Sequence, residues 1–352
     1  MRRYSKTAAV LLCACLLAGC QKNGGEPTSV EKGTAAVESG TYSEALTFFG
    51  ASVSEGEDLI RAYRGEGMAY MGLGEYGKAV QSFDAALSET KEQQEETRKD
   101  ILYYKAAALY RQQDYDGTIQ VCKEILDIAQ EGDAFCLMGT CYLEKGDEKA
   151  AQVNYDAAVA ASPEDYDLYL DIYEAYKEQK LSATGAEYLQ QALQIENSAK
   201  EDTYYKAKIY YYLENYEEAQ AQLVELVGEK DGEALLLMGK IALALEDPVR
   251  AAGMYEQYIA EIGETPEAYN GIALAEIAQK DYDAAVSSIG KGLLLEEEKG
   301  KRELYFNEIV AYEYKGDFIT AQIKAKAYVE KYPTDEAGQK EYQFLTHAAG
   351  GN

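Results

Sequence analysis

The sequence lacks several residue types on which most catalytic and metal sites depend. Its 352 residues include no Trp, five Pro and a single His, which is His347 near the end of the chain. Catalytic triads, His-based acid–base catalysis and His-containing zinc sites all require that residue type, so they are excluded. Paired carboxylates are too common in this chain to indicate a glycosidase. We therefore expect no enzyme, no metal site and no cofactor.

Acidic residues and Tyr are abundant instead. The chain has 62 Asp and Glu against 34 Lys and Arg, a net charge of −28, which argues against binding nucleic acid or lying flat on anionic lipid. It also has 32 Tyr but only seven Phe, so most large apolar contacts carry a hydroxyl group that needs water or a partner. Scarce Pro together with frequent Ala, Glu, Leu and Lys favours helices.

The N-terminus has the organisation of an export signal. Residues 2–6 include three basic side chains, and residues 7–17 are apolar but too few to span a bilayer, which needs about 20. The Leu-Ala-Gly-Cys of residues 17–20 resembles the lipobox of bacterial lipoproteins. That resemblance implies cleavage after residue 19 and a diacylglyceryl group on the Cys20 thiol. An ordinary secretory signal, removed without lipidation, is the alternative.

A lipidated Cys20 would place the mature chain on the extracytoplasmic face of a membrane, at the outer surface or in a periplasm. Two acyl chains anchor a protein stably, whereas one holds it only marginally. We therefore predict a signal peptide at 1–19 and a flexible tether at 20–30. Of the other cysteines, Cys122, Cys136 and Cys141 are odd in number and have no metal-ligand spacing with His, so we expect buried small apolar residues.

One motif recurs along most of the remaining chain: a turn with Gly or Asp, an aromatic residue, and a small residue three positions later. The clearest copies begin at Gly40, Gly74, Asn215, Asp281 and Gly316. The small position falls at residues 45, 79, 118, 151, 185, 219, 251, 285 and 321. Most of these intervals are close to 34 residues, the period of a helix-turn-helix repeat.

This pattern resembles the tetratricopeptide repeat (TPR). The resemblance implies an all-α fold, a right-handed superhelical solenoid of about nine helix-turn-helix repeats at 31–333, followed by a capping helix and tail at 334–352. Further positions agree, including small residues twelve before the recurrent Ala, such as Gly67 and Gly239, and large residues four after it, such as Phe83 and Tyr255. One hairpin cannot bury both its apolar faces, so its neighbours must cover them. Tyr342, Phe344 and Leu345 are expected on the inner face of the capping helix.

In the family that this chain resembles, the first helix of each repeat, helix A, lines a concave groove and contacts ligands through its second, fifth, ninth, twelfth and thirteenth positions. The candidate partner-binding residues at these positions are Arg61, Arg64 and Met68 in the second repeat, Tyr103 and Tyr110 in the third, Tyr204, Lys208, Tyr211 and Tyr212 in the sixth, Lys240 in the seventh, Asn270 in the eighth, and Phe306 and Tyr314 in the ninth.

These residues include many Tyr, a type that anchors interfaces, although Tyr is also used throughout this chain. No repeat has the Lys and Asn pair of the carboxylate clamp, so a C-terminal peptide ligand is not expected. The sequence predicts a membrane-anchored scaffold that binds a protein or peptide partner in its groove. A carrier of a cell-wall glycan or exopolysaccharide for an envelope assembly or secretion machine is the alternative.

Overall fold

A computed structural model of the chain describes residues 26–91, 93–195, 200–333 and 335–349. The predicted signal peptide and Cys20 lie outside these ranges. The described residues form nineteen α-helices and no strand, as the repeat pattern predicted. The first helix begins at Ser29 and buries Val30, so the helical region starts two residues before the predicted boundary at 31.

The chain divides into two compact modules, one ending at Ile195 and the other beginning at Glu196. The first module contains five hairpins. Its helices are α1 (Ser29–Glu38), α2 (Tyr42–Glu55), α3 (Leu59–Gly72), α4 (Tyr76–Glu89), α5 (Glu95–Arg111), α6 (Tyr115–Ile128), α7 (Gly132–Glu144), α8 (Glu148–Ala161), α9 (Tyr166–Glu178) and α10 (Ser182–Ala192).

The second module contains four hairpins and a terminal helix. Its helices are α11 (Lys200–Tyr212), α12 (Tyr216–Gly228), α13 (Gly232–Ala244), α14 (Pro248–Glu261), α15 (Pro266–Ala278), α16 (Tyr282–Leu294), α17 (Lys301–Tyr314), α18 (Phe318–Lys331) and α19 (Glu336–Ala349). The odd-numbered helices α1–α17 are the A helices and the even-numbered helices are the B helices. Consecutive A helices such as α13 and α15 also contact each other.

Each A helix ends in the same way. The residue two positions before the B helix is left-handed in all nine hairpins that the structure describes, and only four of these nine residues are Gly. The other five are Gln113, Lys180, Glu214, Glu246 and Lys280, with φ between 58° and 64°. An Asp often follows and accepts a hydrogen bond from the backbone N–H three residues later, as Asp281 does from Ala284 at 3.1 Å. The recurring turn is therefore fixed by backbone geometry more than by Gly.

The core follows the predicted period. The predicted Ala positions on the B helices, including Ala79, Ala219 and Ala321, are fully buried, as are the large residues four positions later, such as Phe83 and Leu223. Because the small residue lets the A and B helices approach, the large side chain can insert between neighbouring A helices. The predicted packing of the repeat is confirmed.

Two rings show this insertion most directly. The Phe49 ring lies against Gly33 of its own hairpin and Gly65 of the next, and Tyr255 lies in the same way against Gly239 and Gly271. A Cβ atom added at Gly271 would lie 2.4 Å from the Tyr255 ring. The aromatic ring therefore occupies the volume that a side chain at either Gly would need.

Two further predictions concern the burial of the cysteines and of the apolar residues on α19. Cys122, Cys136 and Cys141 are buried, as predicted. Burial raises the pKa of the Cys141 thiol to about 12. The placement of Phe344 was wrong. Leu345 is fully buried against α18 whereas Phe344 is 58% exposed, because the two neighbours lie about 100° apart around the helix.

Candidate functional site

The A-helix face is the surface formed by the second, fifth, ninth, twelfth and thirteenth positions of each A helix. All thirteen residues predicted there are at least partly exposed, so each is sterically able to touch a ligand. They lie on α3 and α5 of the first module and on α11, α13, α15 and α17 of the second. Arg61 and Tyr314 are the most exposed, and Arg61 pairs with Asp58 in the preceding turn at 3.2 Å.

In the first module, two of the predicted residues, Arg64 and Tyr103, bind acidic side chains of the next repeat. Arg64 Nε lies 2.6 Å from Asp100 Oδ2 on α5, and the Arg64 guanidinium lies over the Tyr104 ring. Tyr103 donates its hydroxyl proton to Glu131 at 2.6 Å, and Lys99 binds the same carboxylate at 2.8 Å. Desolvation raises the pKa of the Tyr103 hydroxyl, with a further rise from Glu131, so this group remains a neutral donor.

The second module repeats the arrangement with different side chains. Tyr204 on α11 donates to Glu233 on α13 at 3.1 Å, and Lys240 on α13 binds Glu267 on α15 at 2.6 Å. The Asn307 Nδ2 group of α17 donates to Asn270 Oδ1 of α15 at 2.7 Å. Each bond joins one repeat to the next along the A-helix face. These predicted ligand contacts therefore also serve as connections between repeats.

The acidic partners in these pairs were not predicted from the sequence. Glu131, Glu233 and Glu267 stand 27 to 29 residues after the side chains that they bind, and Asp100 stands 36 residues after Arg64. The available signal was an acid near the start of an A helix that follows a cation or Tyr by about one repeat. That spacing alone does not fix a pair, because long side chains have several rotamers and several neighbours.

Several partly exposed Tyr side chains lie on α11, and we call Tyr204, Tyr205, Tyr211 and Tyr212 the tyrosine surface. The Tyr204 and Tyr205 rings meet edge to face at 5.9 Å, as do those of Tyr211 and Tyr212 at 5.7 Å. All four side chains are half-buried. The structure thus brings the predicted Tyr204, Tyr211 and Tyr212 onto one helix and adds Tyr205, which lies at the sixth position.

The Lys208 ammonium borders the tyrosine surface, and the Tyr211 hydroxyl within it is partly desolvated. The Lys208 ammonium lies 5.8 Å from the Tyr205 ring centroid, within the range of a cation–π contact. Tyr211 also contacts Tyr216 at 6.0 Å, and burial raises the pKa of its hydroxyl. The surface therefore presents neutral aromatic side chains with polar tips at ordinary pH.

The other predicted aromatic residues are dispersed. Tyr110 packs on Tyr115 at 5.7 Å, Phe306 meets Tyr328 at 5.6 Å, and Tyr314 stacks on Tyr282 at 5.8 Å. Each pair belongs to a different part of its module, so these residues do not form one site. Over the described part of the chain, no group of three or more His, Cys, Asp or Glu side chains could hold a metal ion.

Glu313 on α17 and Glu341 on α19 form a carboxyl pair at the end of the A-helix face. Burial, and then the hydrogen bond and like charge of Glu341, raise the pKa of Glu313 to about 7. The ordinary value for this carboxyl is 4.5. The folded state therefore binds a proton more tightly than the unfolded state between these values, and stability falls as pH rises from about 4.5 to about 7.

We expect Glu313→Gln to remove this part of the pH dependence. The variant should be more stable than the parent at pH 8, by on the order of 1 kcal/mol because water screens a partly exposed pair. Thermal unfolding from pH 5 to pH 8 measures the effect. Glu303→Gln removes the same charge near the other end of α17 and is the control. Parallel pH profiles for parent and Glu313→Gln would contradict the assignment.

No helix within the described ranges combines the length and apolar character that crossing a membrane requires.

Comparison with known proteins agrees with the geometry. The chain matches one tetratricopeptide repeat family model at residues 64–133, 204–264 and 236–299. It matches a second tetratricopeptide repeat family model at residues 132–165. These ranges cover more than half of the sequence. No curated protein matches the chain.

Solved structures share the fold at low identity. A structure of the human IFIT1 dimer with m7Gppp-AAAA has a TM-score of 0.51 and 14% identity, covering 97% of this chain and 85% of that one. A tetratricopeptide repeat protein from Parabacteroides merdae has a TM-score of 0.46 and 16% identity, covering 70% of this chain and 97% of that one. The family matches and the nine helical hairpins together show that this chain belongs to the tetratricopeptide repeat family.

Proposed function

We propose that this protein is a TPR scaffold, anchored by a lipid on Cys20 to the extracytoplasmic face of a bacterial membrane. On this proposal it binds a protein or peptide partner on its A-helix face. The observation that carries the binding role is the tyrosine surface of α11, where four half-buried Tyr side chains lie together.

Tyr is suited to such a contact for physical reasons. Its ring supplies a large apolar area at a small cost in side-chain entropy, and its hydroxyl can pair with polar groups of a partner. Central aromatic residues of this kind contribute most of the binding energy in many interfaces. The neighbouring Lys208 and Glu233 add charge of both signs, which favours a mixed polar and apolar peptide over a uniformly charged ligand.

The remaining A-helix residues would contribute less. Arg64, Tyr103 and Lys240 already pair with carboxylates of the next repeat, at 2.6 Å in each case. A ligand that used them would have to replace these bonds, so the net gain would be small. The tyrosine surface is therefore the expected centre of binding.

The test compares a double aromatic substitution on the tyrosine surface with a single aromatic substitution outside it. Tyr205→Ala with Tyr212→Ala removes one ring from each Tyr pair. The other two rings, Tyr204 and Tyr211, pack against the buried residues between α11 and α13 and are left in place. Crosslinking in producing cells should then lose the band between this protein and its partner by at least about tenfold, the effect of roughly 1.4 kcal/mol. Tyr282→Ala, on a B helix of the same module, should leave that band in place.

An unchanged band in the double variant, with both proteins folded by circular dichroism, would refute binding at the tyrosine surface. Purified protein retained on cell-wall polysaccharide, with no partner protein present, would identify a glycan ligand instead if the double variant is not retained.

A further inference from the structure

The outward face of α18 is unlike that of any other B helix in the structure. Ile319 and Ile323 are 72% and 62% exposed, and they stand four residues apart, so they lie side by side on one face. Ala321 and Ala325 on the inner face are fully buried. Phe318, at the first residue of the helix, is also exposed and extends the apolar surface towards the turn. Two adjacent exposed Ile side chains are costly in water unless something covers them.

Comparison between repeats shows that this feature is specific to the ninth hairpin. Ile319 stands two residues before the recurrent buried small residue and Ile323 two residues after it. In the other eight hairpins these positions are polar or small, except for Val249 before Ala251 and Val153 after Ala151. Those two Val residues lie on different hairpins and stand alone. The ninth hairpin is thus the one repeat in which both outward positions are large and apolar.

The charge of the ninth hairpin also differs from that of the others. From Lys301 to Lys331 it has six Lys and Arg against five Asp and Glu, whereas each of the other eight hairpins has an excess of acids. Lys324 turns towards α17 and binds Glu308 at 2.7 Å, which leaves the outward face to the Ile side chains. The ninth hairpin therefore carries a charge of +1, and the rest of the chain carries −29.

This distribution decides what can approach the surface. A second copy of a strongly acidic chain is repelled by every other hairpin and is not repelled by this one. A basic partner would be drawn to the acidic hairpins instead. A membrane-binding helix needs several free Lys and Arg side chains beside its apolar face. Of the three Lys on α18, Lys324 binds Glu308 and Lys331 lies over the Tyr305 ring, so the outward side has only Lys326, one turn before Glu330.

We propose that two copies of this chain associate through the outward faces of α18, with Ile319 and Ile323 of one copy packed against the same residues of the other. A two-fold axis makes such a contact self-complementary and closed, so it yields dimers and not filaments. One helix face is much smaller than the roughly 800 Å² per partner of a standard stable interface. The dimer is accordingly weak, with a dissociation constant in the micromolar range.

Sedimentation velocity of the purified protein, from about 1 to about 200 µM, measures this association around the micromolar range expected for a contact smaller than a standard interface. The parent should shift from monomer to dimer across the range. Ile319→Gln with Ile323→Gln should raise the dissociation constant at least tenfold while the melting temperature stays near that of the parent. The matched control is Val249→Gln with Val153→Gln, which changes the same two repeat positions at 71% and 68% exposure and should leave the dimer intact.

Chemical crosslinking locates the contact independently. Ile323→Cys should give a covalent dimer with a short bis-maleimide, and Val153→Cys at the equivalent position of α8 should not. Among the described residues, the native thiols Cys122, Cys136 and Cys141 are buried and should not react in the folded protein. A parent that stays monomeric at 200 µM overturns the proposal. So does a dimer that survives both Ile substitutions, or one that both Val substitutions weaken equally.

Discussion

Gly271→Ala is expected to lower the free energy of unfolding by about 2 kcal/mol, the usual effect of forcing one extra carbon into a packed core. The new Cβ would lie 2.4 Å from Cε1 and Cζ of Tyr255, a ring that is 1% exposed and has no room to withdraw. The same substitution at Gly253, in the middle of α14, places Cβ where no atom lies within 4 Å. Gly253→Ala should therefore stabilise the protein by up to about 1 kcal/mol through helix propensity.

If Gly→Ala lowers the free energy of unfolding at position 271 and raises it at position 253, the effect of core packing is separated from the effect of helix propensity. Urea denaturation followed by circular dichroism measures both, and the midpoints are compared at equal m values. Removing the obstacle is a further check: in the background Tyr255→Leu, the cost of Gly271→Ala should shrink, giving a coupling energy between the two sites. Stabilisation by Ala at both Gly positions would show that Tyr255 does not fill the space between its neighbouring A helices.

Cys20→Ser is expected to abolish lipid labelling and release the chain from the membrane fraction. The proposed anchor is a thioether between the Cys20 sulfur and a diacylglyceryl group, and a Ser hydroxyl is a far weaker nucleophile than a thiol at neutral pH. Each buried CH₂ of an acyl chain contributes about 0.8 kcal/mol to membrane binding, so loss of two chains removes the anchor entirely. Labelling with a palmitate analogue and fractionation of the cells measure both effects.

Cys122→Ala is the control for this experiment, because it removes a buried thiol and leaves the lipobox unchanged. It should retain both the label and the membrane fraction. Continued labelling of Cys20→Ser would refute the anchor at this residue. An unlabelled parent that is still cleaved and exported would indicate the ordinary secretory signal.

Much of the fold follows from residues that repeat about every 34 positions. Small residues such as Gly67 and Ala79 let two helices approach, and large ones such as Phe83 fill the space that remains, so spacing alone predicts which helix faces are buried. The left-handed turn residues were less visible. At Gln113 and Lys280 the sequence shows no Gly, yet the turn between the helices imposes positive φ there as at Gly74.

The candidate site was only partly predictable. Repeat register placed Tyr204, Tyr211 and Tyr212 on one face of α11, because that placement depends only on helical geometry. It could not show that Tyr204 donates to Glu233 or that Lys240 binds Glu267, since each bond joins two repeats through flexible side chains. The exposure of Phe344 was missed because its neighbour Leu345, about 100° away around the helix, takes the inner face.

The family, the nine hairpins and the buried positions of each could therefore be predicted from the sequence, because they depend on a local residue pattern that recurs in every repeat. The tertiary structure alone decided which predicted contact residues bridge successive A helices, where aromatic rings gather into the tyrosine surface, and that α18 leaves two Ile side chains uncovered. These features depend on how one repeat meets the next, and the packing of non-local neighbours sets that arrangement.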